Sequence, residues 1–107
     1  MAYGNLIVKK IEINEFLEII KDYKSEQIEC TDHTFIRLSE GQRKIFKCEK
    51  LKEFILYEEP IFVGLQENGN HAIYYKHDKK TMRMILDLQY QKINIVSFYF
   101  TNQLPRI

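Results

Sequence analysis

A chain of 107 residues, 45% hydrophobic and 29% charged, has the composition of one folded domain and excludes both a second domain and a disordered tail-like protein. Sixteen basic residues against fifteen acidic ones leave a net charge near +1, which argues against the basic excess of a strong nucleic-acid binder. No apolar run approaches the roughly 18 residues of a membrane span, and the opening MAYGNLIVKKIEIN has no apolar leader core, so a soluble, cytoplasmic chain is expected.

In chain order, residues 6–13 (LIVKKIEI) are rich in β-branched side chains and predict a strand. Asn14 can cap a following helix, in which Phe16, Leu17, Ile20 and Tyr23 recur at helical spacing as far as about Lys24. Thr31 or Asp32 would cap a second helix bearing His33, Phe35, Ile36, Arg37 and Leu38, with Gly41 as its stop. The link QRKIFK is basic, and a third helix follows over residues 48–57 on the apolar stripe Leu51, Phe54 and Ile55. Pro60 closes it, because proline lacks the amide that the helix ladder needs. Cys30 and Cys48 have no CxxC or Cys/His metal spacing and read as reduced, semi-buried residues. No cofactor or metal is implied.

Beyond Pro60 the hydrophobic period changes from about 3.6 to about 2. Four runs, IFVGLQ, HAIYYKH, TMRMILDL and KINIVSFYFT, are separated by ENGN, DKK and QYQ. Such links force consecutive strands to pair antiparallel, and Asn68-Gly69 tolerates the positive φ of a tight turn. The expected fold is therefore a single α+β domain over residues 1–107, with an N-terminal strand and helices followed by a four-stranded antiparallel β-meander.

Strand alternation, taken with the shortest consistent loops, sends Val63, Leu65, Ala72, Tyr74, Met82, Met84, Ile95 and Tyr99 toward the helices. The other face then carries Phe62, His71, Tyr75, His77, Arg83, Asp87, Phe98 and Phe100, with Tyr75 across from Arg83 and His71 across from Asp87. A cation among aromatic rings beside an imidazole can hold a phosphate and move protons. The same residues also fit a surface ion pair and a stacking contact. His33 and Arg37, at i and i+4, share one face of the expected second helix and can address one ligand. Arg43, Lys44 and Lys47 suit substrate phosphates, or are solvated surface. If nothing in the chain covers Phe62, Phe98 and Phe100, they form an apolar patch of the kind that marks an interface.

Several of these segments together resemble a known group. HTFIR, residues 33–37, is similar to the His-x-x-x-Arg opening of BrnT-like toxins, and EKLKEFILYEEPIFVGLQENGNHAIYYKH to their helix, first two strands and turn. Arg83 on the third run and the ending INIVSFYF extend the likeness to the RelE/ParE and BrnT-like ribonuclease toxins of toxin–antitoxin modules, over residues 32–101. That resemblance implies a metal-independent endoribonuclease cleaving mRNA, restrained by a cognate antitoxin. Carried over residue by residue, it assigns catalytic roles to His33, Arg37 and Arg83, with Tyr75 and His71 as further candidates from the sheet face. The near-neutral charge departs from the basic character of such toxins. The alternatives are a non-catalytic interaction module or homodimer using Phe62, Phe98 and Phe100, and a regulator that binds RNA or DNA without cutting it.

Overall fold

A computed structural model describes residues 6–105; Arg106, the fourth arginine, lies outside them. The strands are β1 (Ile7–Lys10), β2 (Ile28–Cys30), β3 (Phe62–Gln66), β4 (His71–His77), β5 (Lys80–Gln89) and β6 (Lys92–Thr101). The helices are α1 (Ile13–Ile20), α2 (Glu40–Ile45) and α3 (Cys48–Tyr57).

All six strands belong to one sheet in the order β1-β3-β4-β5-β6-β2. This corrects the expectation of a four-stranded antiparallel sheet. Consecutive strands from β3 to β6 pair antiparallel, but β1 extends the β3 edge and β2 joins the β6 edge in parallel, so the sheet is mixed. Three-residue β2 was too short for periodicity to show, and its pairing is long-range, with Ile28 opposite Ile93 and Cys30 opposite Ile95. Gly64 permits β1 to lie close: a Cβ there would sit 2.7 Å from the Ile7 side chain.

The helices pack on one side of the sheet. Phe16 and Ile20 from α1, and Leu51, Phe54 and Ile55 from α3, bury against Val63, Ile73, Tyr75, Met82, Met84, Leu86, Ile93, Ile95 and Phe98. Removing each such side chain from water contributes about 1.5–3 kcal/mol, which makes this layer the main source of stability. The opposite face carries a smaller cluster of Phe62, Ala72, Tyr74 and Ile85, with Ile7 and Val96 packed against it.

Two local events set these faces, and both depart from the expected register. The β4–β5 turn has two residues rather than three, with His77 paired to Lys80 and Asp78 at φ 54°. Tyr75 therefore lies opposite Met82, Tyr74 opposite Arg83, and His71 opposite Leu86. A one-residue slip exchanges the faces of a strand, and HAIYYKH is apolar in both phases. In β6 a bulge at Val96 resets the alternation: Leu86 pairs with Ile95 while Ile85 pairs with Ser97. Ile95 and Phe98 thus both face the helices, and Tyr99, expected in the core, faces away.

The expected second helix is also revised. Residues 32–37 form successive turns with i→i+3 bonds, such as Ile36 N–H to His33 C=O at 3.2 Å. The helix proper, α2, begins later, where Ser39 and Gln42 form a reciprocal capping box, and Gly41 lies inside it rather than ending it. The cysteines, read as reduced from the sequence, are joined in a disulfide between the end of β2 and the start of α3, with Cα atoms 6.1 Å apart. No described helix is long and apolar enough to cross a membrane.

Candidate functional site

The turn segment, residues 31–38, is fastened to β6 where the bulge leaves backbone groups available. Thr34, fully buried, donates its hydroxyl to the Ile95 carbonyl at 2.6 Å, and its own carbonyl accepts the Phe98 amide at 3.1 Å. The Thr31 amide reaches the Ile95 carbonyl at 3.2 Å and the Thr34 hydroxyl at 2.8 Å. Pulled onto the sheet edge in this way, the threonines trade helical bonds for side-chain ones. The segment's far half is braced from α2: Arg43 donates from Nε to the Phe35 carbonyl at 3.0 Å and from Nη2 to the Ile36 carbonyl at 3.2 Å.

Seated there, the segment faces the side of the sheet away from the helices and encloses a cleft of about 430 Å³. Its lining includes His33, Arg37, Arg83, Tyr99 and Ser97, with Gln66, Asn68 and Asn70 from the end of β3 and the following turn. Arg83 is held on both sides, donating from Nε to the Tyr74 hydroxyl at 2.8 Å and from Nη1 to the Tyr99 hydroxyl at 2.9 Å. Hydrogen bonds to a charged group are worth about 1.5–3 kcal/mol each, so the guanidinium is fixed before any ligand arrives. Arg37 lies over the same Tyr99 ring, its Cζ 4.6 Å from the centroid, while the Arg83 Cζ is 5.3 Å from it. One aromatic ring thus positions two cations.

Among the described residues no carboxylate lines this cleft, and neither Arg37 nor Arg83 is ion-paired with one. Two guanidinium groups gathered without a counter-charge form a local positive potential that the net charge of the chain conceals. Burial raises the Tyr74 hydroxyl above its usual pKa, with the Arg83 charge acting against it, so Tyr74 stays protonated at neutral pH. The Tyr99 hydroxyl accepts from Arg83, and a phenol in that role still has an O–H to donate.

Of the residues singled out from the sequence, the structure brings His33, Arg37 and Arg83 together. Tyr75 does not join them. It is 1% exposed on the helix-covered face, and its hydroxyl has no hydrogen-bond partner among the described residues. His71 also faces the helices, beside Phe16 with ring centroids 6.5 Å apart. Its Nδ1 is buried with no hydrogen-bond partner among the described residues, and burial lowers its pKa, opposed by Glu15. Arg43 is committed to the turn segment as a brace, and Lys44 and Lys47 are exposed and do not line the cleft. Sequence reasoning assigned both Tyr74 and Tyr99 to the core-facing side; the tight β4–β5 turn and the bulge that place them on the cleft side have no signature in the alternation itself.

The aromatic patch is likewise used within the chain. Phe62 packs edge-on against Tyr74 at 5.7 Å, in the cluster that Ile7 joins, and Phe98 is fully buried beside Phe46 at 5.6 Å. Phe100 is half-buried against Phe46 and Phe98, at 5.2 and 5.5 Å. The three rings do not form one exposed surface. Among the described residues no three His, Cys, Asp or Glu side chains are grouped to hold a metal ion.

A family model matches residues 14–86, about two thirds of the chain. The chain belongs to the MJ0788 family. The matched stretch contains His33, Arg37, Tyr74 and Arg83 and stops before β6, which supplies Tyr99. No curated protein and no solved structure matches the chain.

Proposed function

We propose that the Arg37–Arg83 cleft binds a phosphodiester of single-stranded RNA and promotes its cleavage by the RNA's own 2′-hydroxyl. The observation that carries this reading is the pair of arginines sharing the Tyr99 ring, in a cleft with no carboxylate among its described lining residues. In such a cleavage the 2′-oxygen attacks phosphorus, the 5′-oxygen leaves, and the products are a 2′,3′-cyclic phosphate and a 5′-hydroxyl. The barrier falls when fixed cations face the charge that accumulates on the phosphoryl oxygens, which is the role given to Arg37 and Arg83. His33 is the imidazole on the cleft wall; it takes the proton from the attacking 2′-hydroxyl and returns it to the departing 5′-oxygen. Tyr99 donates its hydroxyl proton to a non-bridging oxygen and so helps to orient the phosphate. Asn68, Asn70 and Ser97 offer neutral hydrogen bonds at the rim, suited to ribose or base edges.

The likeness of HTFIR and of Arg83 to small toxin ribonucleases supports the same reading from the sequence side. To test it, the purified protein is incubated with single-stranded RNA in the presence of a chelator and the product ends are identified. Cleavage leaving cyclic phosphate ends, lost in Arg83→Gln and reduced at least about tenfold in His33→Gln, is expected. Binding that depends on Arg83 with no cleavage by wild type would leave an RNA-binding role in place of the enzymatic one. RNA that neither binds nor is cut removes both.

A further inference from the structure

The disulfide between Cys30 and Cys48 closes a loop whose interior, residues 31–47, carries His33, Arg37 and the brace Arg43. One end of the bond is the last residue of β2, on the sheet edge. The other is the first residue of α3, whose Leu51, Phe54 and Ile55 are buried in the core. The bond therefore pins the entry to the turn segment onto a helix whose apolar stripe is buried in the core.

We infer that this disulfide is a redox control on the cleft. Oxidised, it holds the turn segment against β6 so that His33 and Arg37 stand beside Arg83. Reduced, the segment loosens and the cleft loses affinity for phosphate. The inference rests on the reading of the cleft as a phosphate site.

The segment's other attachments explain why the bond matters more for Arg37 than for the threonines. Thr31 and Thr34 are bonded directly to the backbone of β6. Beyond Thr34 the described attachments are the i→i+3 bonds, the packing of Phe35 and Leu38 on the core, the stacking of Arg37 on Tyr99 and the two bonds from Arg43. Arg43 lies within the same closed loop, so its brace moves with the segment it supports. Few external bonds and exposed backbone are the marks of a region that opens at low cost. Both cysteines are partly exposed, and attack by a small thiol depends on such access.

The chemistry balances with a dithiol as the reductant. Its thiolate attacks one sulfur, a mixed disulfide forms, and its second thiol resolves it. Two electrons pass to the protein, Cys30 and Cys48 take up protons as thiols, and the reductant leaves as its own disulfide.

The test compares the full chain oxidised, the full chain in dithiothreitol, and the Cys30→Ser/Cys48→Ser variant with and without dithiothreitol. Two quantities are read: amide hydrogen exchange at Ile36 and Leu38 against Met84, and affinity for a 2′-O-methyl oligoribonucleotide that cannot be cleaved. Reduction is expected to speed exchange at Ile36 and Leu38 about tenfold while leaving Met84 slow, and to weaken the oligonucleotide about five- to tenfold. The double variant should behave as the reduced protein in both conditions. Unchanged exchange in the turn segment, or faster exchange with unchanged affinity, overturns the redox control and leaves the phosphate site standing. An oxidised protein that does not bind the oligonucleotide overturns the phosphate reading and the control with it. A reduced protein without a cooperative melt makes the bond a requirement for folding, which also overturns the inference.

Discussion

Tyr74 and Tyr75 are neighbours on β4 with opposite surroundings, and they mark the difference between the two faces of this sheet. Both are almost fully buried, at 4% and 1% exposure. The Tyr74 hydroxyl accepts a hydrogen bond from Arg83, whereas the Tyr75 hydroxyl, among the aromatic rings under α3, has no partner among the described residues. Burial pushes both phenols above their ordinary pKa, and only at Tyr74 does a cation oppose it. The helix-covered face is built for apolar contact and tolerates a polar atom as a cost. The face away from the helices spends its few aromatics on holding arginines in place.

The largest effects should follow from emptying the helix-covered face. Phe16→Ala removes a fully buried ring and should lower stability by about 3–5 kcal/mol in urea denaturation, with no selective effect on ligand affinity in the protein that remains folded. Arg83→Gln should do the reverse: affinity for a phosphate-bearing oligonucleotide falls at least about tenfold, while the melt shifts much less than for Phe16→Ala.

The tyrosine pair supplies a finer comparison. Tyr74→Phe deprives Arg83 of one acceptor and should cost about 1.5–3 kcal/mol. Tyr75→Phe deletes an unpartnered hydroxyl and should be neutral, or stabilising by up to about 1 kcal/mol. Equal losses in the two variants would sink the assignment of the faces.

The smallest effect concerns pH. Burial holds the folded His71 imidazole below its ordinary pKa of 6.5, with Glu15 opposing. The unfolded chain therefore takes up this proton first. The contribution of neutral His71 is complete above pH 6.5 and is lost as pH falls through the window between 6.5 and the lowered folded value. Urea melts across that window should show a gentler slope for His71→Gln than for wild type.

Much of this molecule was legible in the residues. The change of period after Pro60 located β3 to β6, and the stripe Leu51, Phe54 and Ile55 located α3, because each element repeats its apolar residues at its own geometry. His33, Arg37 and Arg83 were identified as candidates by residue type and pattern, and the fold gathers them on one cleft. Their partners were not legible. Tyr74 and Tyr99 reach Arg83 only because a two-residue turn and a bulge at Val96 set the phase of β4 and β6. A period of two fixes alternation within a strand but not which phase faces inward when both are apolar.

The long-range features escaped for a related reason. Three-residue β2 draws its hydrogen bonds from β6, more than sixty positions away, and the Cys30–Cys48 bond joins residues whose spacing resembles no motif. What the sequence determined by itself is what depends on neighbours along the chain: the helical stripe, the strand runs and the residue types available for chemistry. The tertiary structure decided what depends on neighbours in space. It chose which tyrosine meets Arg83, laid the turn segment on β6, and built a cleft with two arginines from residues that no local pattern connects.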